Sequence, residues 1–217
     1  MGQVVVITGC ADGMGRHVAT MLAGEGYSVA GFDVDAKGVK SLEKELKQIG
    51  GDHLVEVLDI TDRPGIKKFS NRVLEKYGHV DTVLSNVGIG FFSPFEEANL
   101  EKALKCLYIN IIGAAAIFQA FIPSMRERRS GKLIAMSSLV GRIPFPFESI
   151  YSASKFAITG MVLSLKYEVE PFGIQVALIE PAQVSTSFAA KIHVLPPEGS
   201  VYRDRARRFI ERDDELI

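Results

Sequence analysis

Tyr151 and Lys155 stand four residues apart in the run Tyr151-Ser152-Ala153-Ser154-Lys155. On a helix that spacing puts a phenol and an ammonium on one face, one turn apart. The pair is suited to proton transfer. A phenol titrates at ~10, so service at neutral pH needs its anion favoured by about 3 pH units, roughly 4 kcal/mol. One ammonium at ~4 Å, with an effective dielectric of ~20, supplies on the order of 4 kcal/mol. Lys155 alone is therefore expected to lower the phenol far enough. Ser138 ends an apolar run just before the loop into the same helix, where it can hydrogen-bond the oxygen that exchanges the proton. A Tyr-x-x-x-Lys pair also arises by chance on exposed helices, so its meaning depends on its companions.

The first companion is Thr8-Gly9-Cys10-Ala11-Asp12-Gly13-Met14-Gly15, which follows a β-branched run and opens a helical one. Strand before and helix after is the setting in which such glycines let backbone N–H groups approach a pyrophosphate. The second β-branched run ends at Asp33, where a carboxylate can accept from both hydroxyls of an adenosine ribose. The same carboxylate repels a 2′-phosphate, and Asp12 adds a second negative group, so NAD is expected in preference to NADP. Asp33 could instead cap the next helix. Arg16 is the one nearby cation, read as part of an exposed helix face. Asp59 can accept from an adenine amino group, or cap the helix beginning near Asp62. Ser85-Asn86-Val87-Gly88 closes the fourth run; Gly88 permits close backbone approach, and Asn86 is read as mainly structural.

These groups need a scaffold that delivers them to one edge. Short apolar runs at 4–8, 28–32, 53–57, 80–85, 132–137 and 174–179 alternate with helical stretches at 13–23, 36–48, 63–76, 101–128 and 152–168. The expected fold is α/β: a doubly wound, mostly parallel sheet in three layers, with ligand at the carboxyl ends of the strands. The 217 residues are read as one domain, with 186–217 a mobile, partly helical substrate flap. Formal net charge is -1, which gives no field for nucleic acid. The basic runs at 126–129 and 203–208 are broken by Glu127 and Asp204 and read as solvated faces. Two cysteines, Cys10 and Cys106, exclude a disulfide framework and fit a reducing cytoplasm. No metal-ligand spacing occurs. The apolar stretch 109–122 holds Asn110 and Gln119 and is short for a bilayer, so no membrane insertion is expected.

Taken together the motifs resemble the short-chain dehydrogenase/reductase family over nearly all of residues 3–190. Thr8, Gly9, Gly13 and Gly15 match its glycine motif, and Ser138, Tyr151 and Lys155 match its catalytic set. Ser85-Asn86-Val87-Gly88 keeps Asn86 and Gly88 of the family's Asn-Asn-Ala-Gly, and Pro181-Ala182 replaces its Pro-Gly. The resemblance implies that Tyr151 is the general acid/base and that Ser138 binds the substrate oxygen. It implies that Lys155 binds the ribose, that Asn110 holds a relay water, and that Val184 and Thr186 contact the nicotinamide carboxamide. The implied cofactor contacts are Gly9, Asp12, Gly13, Met14, Gly15, Asp33, Asp59, Ile60, Asn86, Val87, Gly88, Tyr151, Lys155, Pro181, Val184 and Thr186. Family members continue with another helix and a last strand, which implies a longer polypeptide and a homodimer or homotetramer.

Phe91, Phe92, Leu139, Val140, Phe145, Phe147 and Phe188 border the expected reaction centre and suit a small apolar alcohol or ketone. Glu148 is read there as a solvated loop residue. The run Leu178-Ile179-Glu180-Pro181 with the flap resembles 17β-hydroxysteroid dehydrogenases. Two function classes follow: an oxidoreductase, or a dinucleotide-binding regulatory or scaffold protein without turnover. Retention of Ser138, Tyr151 and Lys155 together favours the first.

Overall fold

A computed structural model describes residues 2–182, 184, 188 and 195–214 of the chain. Six parallel strands form one sheet: β1 Val4–Thr8, β2 Ser28–Asp33, β3 Leu54–Val57, β4 Thr82–Ser85, β5 Gly131–Met136 and β6 Ile174–Ile179. Their spatial order is β3-β2-β1-β4-β5-β6. The strand order therefore reverses between β1 and β4, and a crevice opens there at the carboxyl ends. The helices are α1 Gly13–Gly24, α2 Ala36–Ile49, α3 Arg63–Tyr77, α4 Leu100–Leu107, α5 Ala114–Arg128, α6 Ser149–Val169 and α7 Arg203–Asp214.

Apolar side chains on both faces of the sheet create the three layers. Val5, Ile7 and Val29 pack with Ala19 and Ala23 of α1 and Leu42 and Leu46 of α2. Val6, Phe32, Val83 and Leu133 point the other way, into Phe69 of α3, Phe118 and Phe121 of α5 and Ile158 of α6. Burial of Phe32, Phe69, Phe118 and Phe121 is complete or nearly so, which removes on the order of 2 kcal/mol of apolar exposure each. β6 departs from the rule that its apolar run implied: Gln175, Ala177 and Ile179 are exposed, so only one of its faces is covered.

Helix ends are set by local chemistry. Asp12, Asp35 and Asp62 each cap a helix, accepting from the N–H of Gly13, Lys37 and Gly65. Asp33 is thus not the cap of α2. The helical stretch expected at 101–128 is interrupted by a π-helical turn, Tyr108–Gly113, between α4 and α5. Such turns concentrate at functional sites, and this one carries Asn110. The whole run Leu100–Arg128 is long and apolar enough to cross a membrane by length and composition, although Cys106, Ile117, Phe118 and Phe121 on it are buried in the protein.

Candidate active site

The loop after β1 is fastened to the loop after β4. Thr8 Oγ1 accepts from the N–H groups of Asn86 and Val87 at 3.0 and 3.2 Å. Asn86 Nδ2 returns two hydrogen bonds, to the carbonyls of Thr8 (3.1 Å) and Gly9 (3.0 Å). The structural reading of Asn86 fits this geometry. Gly9 and Gly13 take φ of 67° and 54°, a region that side chains rarely enter. A Cβ on Gly15 would stand 2.1 Å from the Gly9 carbonyl oxygen and 2.5 Å from Asn86 Nδ2. Only glycines let the start of α1, with Met14 between Gly13 and Gly15, lie this close to the loop, so that the helix N-terminus presents backbone rather than side chains there. That cradle fits a pyrophosphate.

Asp33 sits at the carboxyl end of β2, partly exposed, accepting from Ala11 N (3.1 Å) and Asp35 N (3.0 Å). Arg16 is not a free surface cation. Its guanidinium pairs with Glu45 at 2.7 Å and donates to the Ala11 carbonyl at 3.1 Å. Asp59 is exposed and accepts from Thr61 N and Oγ1, both at 2.8 Å. The Ile60 side chain is buried in the core, against Gly113 of the π-helical turn. Val87 packs beside Gly9, its Cγ2 3.2 Å from where a Gly9 Cβ would lie. Gly88 brings the β4 loop to the catalytic candidates: its Cβ position lies 3.5 Å from both Asn110 Oδ1 and Lys155 Nζ.

Tyr151 and Lys155 lie on one face of α6, beside the end of β5. Lys155 Nζ donates to the Met136 carbonyl at 2.9 Å and lies 5.6 Å from the centre of the Tyr151 ring. Both residues are buried, at 6% and 3% exposure. Ser138 forms a hydrogen bond with the Tyr151 hydroxyl. The helix begins at Ser149, three residues before the expected start, so Tyr151 is anchored within the first turn. Gly141 lets the turn after Ser138 lie against α6, since a Cβ there would stand 3.1 Å from the Lys155 carbonyl oxygen and 2.7 Å from Ser137 Oγ.

The electrostatics differ from the simple arithmetic of one amine beside one phenol. Burial raises the Tyr151 phenol well above its ordinary range, the Ser138 hydrogen bond opposes this, and nearby Glu148 and Cys106 raise it further. Burial also lowers the Lys155 ammonium to about 8. Lys155 therefore does not by itself make the phenol acidic in the protein alone, because desolvation weakens the cation as it shelters the acid. Glu148, expected in solvent, is 7% exposed.

Asn110 is fully buried and its side chain is almost entirely committed. Oδ1 accepts from Ile89 N at 2.8 Å, while Nδ2 donates to the Ile89 carbonyl (3.0 Å) and to Ser154 Oγ (2.9 Å). Ser154 donates onward to the Tyr151 carbonyl at 2.6 Å. Ser154 was invisible to motif reading because its partner lies 44 residues away. Pro181 approaches the same edge, its carbonyl accepting from Leu139 N at 2.9 Å. Val184 is exposed; Thr186 lies outside the described residues, as do 187, 189–194 and 215–217 of the expected flap.

Aromatic rings cover the Tyr151 side. Phe188 stands 6.1 Å from Tyr151, and Phe91, Phe145 and Val140 share its apolar cluster. Phe92 and Phe147 instead meet Phe209 of α7, at 6.1 and 6.2 Å, and serve to dock that helix. The described residues contain no cluster of three metal-ligating side chains.

Comparison with known proteins agrees with this geometry. The sequence pattern described as short chain dehydrogenase matches residues 3–194. A 3-ketodihydrosphingosine reductase of Bacteroides thetaiotaomicron is 30% identical over 217 residues, 98% of this chain and 77% of that protein. Human 17-beta-hydroxysteroid dehydrogenase type 1 is 33% identical over 201 residues, 90% of this chain but only 61% of the relative's length. Among solved structures, a metagenomic short-chain oxidoreductase in complex with NADP superposes with a TM-score of 0.79 at 28% identity, covering 84% of this chain and 83% of that one. With the family pattern running from β1 past β6 and the motif residues gathered at one sheet edge, the chain belongs to the short-chain dehydrogenase family.

Proposed function

We propose that the chain is an oxidoreductase that uses NAD in preference to NADP and acts on the carbonyl or secondary alcohol of a small apolar molecule. The observation that carries this reading is the buried pair Tyr151 and Lys155, with half-buried Ser138 beside them, at the carboxyl edge of β5 and next to the Gly88 loop. A nicotinamide dinucleotide, when bound, supplies or accepts the hydride. Gly9, Asp12, Gly13, Met14 and Gly15 hold its pyrophosphate through the turn and the α1 N-terminus. Val87, Gly88 and Pro181 line the way to the nicotinamide, and the carboxamide is assigned to Val184 and Thr186 by the family resemblance. Asp59 and Ile60 flank the adenine.

Tyr151 moves the proton at its hydroxyl, and Ser138 donates to the substrate oxygen so that the developing charge is offset. Lys155 donates to ribose hydroxyls and keeps a positive charge beneath the Tyr151 ring. Asn110 holds the β4 loop to α6 through Ile89 and Ser154, and the π-helical turn offers carbonyls for a relay water beside Lys155. The preference for NAD rests on Asp33 facing the ribose position while Arg16 is occupied by Glu45. The apolar substrate class rests on Phe91, Val140, Phe145 and Phe188 around Tyr151. Segment 186–217 serves as the substrate flap.

Exposed Leu100, Leu104, Tyr108 and Ile112 along the α4 run, with Phe156, Leu163 and Tyr167 on neighbouring α6, support a homodimer or homotetramer. Cys10 and Cys106 are both free and buried, which supports a cytoplasmic setting. Incubation of the purified protein with NAD or NADP and a panel of secondary alcohols tests the reading. Reduced cofactor should accumulate, faster with NAD. Binding of dinucleotide without turnover of any alcohol or ketone would favour a scaffold role instead.

A further inference from the structure

α7 has three distinct faces. Ala206, Phe209 and Ile210 pack inward on Phe92 and Phe147. Asp204, Arg207 and Glu211 share a second stripe, where Arg207 Nη1 lies 3.3 Å from Asp204 Oδ1. Arg205, Arg208 and Arg212, three and four residues apart, fall on the third and are exposed. The carboxylates that broke the basic run in the sequence are thus on a different stripe from these three guanidinium groups.

The basic stripe does not face open water alone. With Pro146, Phe147 and Phe209 it lines a cleft of about 300 Å³, and among the described residues no carboxylate lines that cleft. Among the described residues none of the three arginines is in an ion pair. The cleft adjoins the reaction side. Phe209 is 6.4 Å from Phe145, which packs in the apolar cluster that contains Tyr151. Its other wall is fixed, because Phe147 holds a φ of 65° and its carbonyl accepts from Ser93 N at 2.8 Å.

We propose that this cleft receives the anionic end of the substrate, a carboxylate or phosphate group, while the apolar body runs past Phe145 to Tyr151; the proposal rests on the catalytic reading above. Three like charges around one hollow repel each other, and an anion between them relieves the repulsion. Arginine suits the task because its planar fork pairs with two oxygens at once. Exposed pairs are individually weak, so three together should give about a tenfold preference that added salt reduces.

The test compares 7-oxooctanoate, 9-oxodecanoate and 11-oxododecanoate with their methyl esters, by kcat/KM at low ionic strength. The best acid should exceed its ester about tenfold in the native protein, and the ratio should fall to about one in R205Q/R208Q/R212Q. Equal use of acid and ester by the native protein, or a preference that survives the triple substitution, overturns the proposal. Calorimetric titration with decanoate against decanol reads the cleft without turnover. Arginine-dependent decanoate binding with no ketone reduced upholds the cleft and rejects the catalytic reading; equal binding of the two, or loss of neither on substitution, rejects the cleft.

Discussion

The flank of the crevice proposed for the cofactor is made of backbone, and the flank proposed for the substrate is made of rings. On the first, Gly9, Gly13 and Gly15 shape a turn that Asn86 and Thr8 tie across β1 and β4, with contacts of 3.0 to 3.2 Å. On the second, Phe92, Phe145, Phe147 and Phe209 meet with centres between 5.5 and 6.4 Å apart. A backbone cradle admits one residue type at a close approach, whereas a ring cluster tolerates any side chain of similar volume. On the proposed reading, the difference would let one sheet edge keep a fixed cofactor site while its other flank adapts to different substrates.

The contrast is broken most severely by Gly15→Ala. Its new Cβ meets the Gly9 carbonyl oxygen at 2.1 Å, so denaturant unfolding should show a loss on the order of 3 kcal/mol and fluorescence titration no dinucleotide binding. Gly160→Ala on α6 meets nothing within 4 Å and should raise stability by about 1 kcal/mol, which separates crowding from glycine loss in general.

Lys155→Met sharpens the comparison by separating stability from chemistry. Burial lowers this amine from 10.5 to about 8, a cost of about 3 kcal/mol to holding it charged. A cation whose native value is depressed destabilises the fold below that value, and the penalty is relieved as pH rises from about 8 to 10.5. The variant should therefore match or exceed the native Tm at pH 7 while kcat falls at least a hundredfold, about 3 kcal/mol in the barrier. The native protein should gain stability across that alkaline range relative to the variant; thermal melts from pH 7 to 10 measure it.

The smallest effect belongs to the rings. Phe209→Leu removes part of a packed aromatic contact and should cost about 1 kcal/mol, read as a Tm lower by a few degrees. KM for an apolar ketone should rise a few-fold with kcat unchanged. A large loss of kcat would mean that α7 positions the reacting groups.

What was legible in the sequence follows the same division. The placement of the glycine loop between β1 and α1, of Asp33 at the end of β2, and of Tyr151 and Lys155 on one face of α6 near Ser138 could be read because it lies in local spacing, between a strand and a helix. The strands β1 and β6 occupy the expected residues: β1 is a continuous apolar run buried on both faces, and β6 is a β-branched run between Gly173 and Pro181 although only one of its faces is covered. Long-range pairings were not legible. Arg16 reaches Glu45 across 29 positions, and Ser154 reaches Asn110 across 44. Burial of Glu148 depends on how the turn before α6 packs, which no single segment encodes. The π-helical turn at Asn110 was hidden because nothing local in Tyr108–Gly113 distinguishes it from the apolar helix on either side, and the distortion accompanies the bonds of Asn110 to Ile89. Lys155 illustrates the limit in energetic terms: spacing placed it correctly, but its charge depends on a desolvation that only three dimensions reveal.

The most direct measurement is single-turnover hydride transfer in Tyr151→Phe, with dinucleotide affinity measured on the same sample. Removing one hydroxyl leaves the ring, the Lys155 contact to Met136 and the glycine cradle in place. The account requires dinucleotide affinity within a few-fold of native and a transfer rate lower by about 10² to 10⁴. A rate equal to native, with cofactor bound normally, would contradict the assignment of Tyr151 as the group that moves the proton.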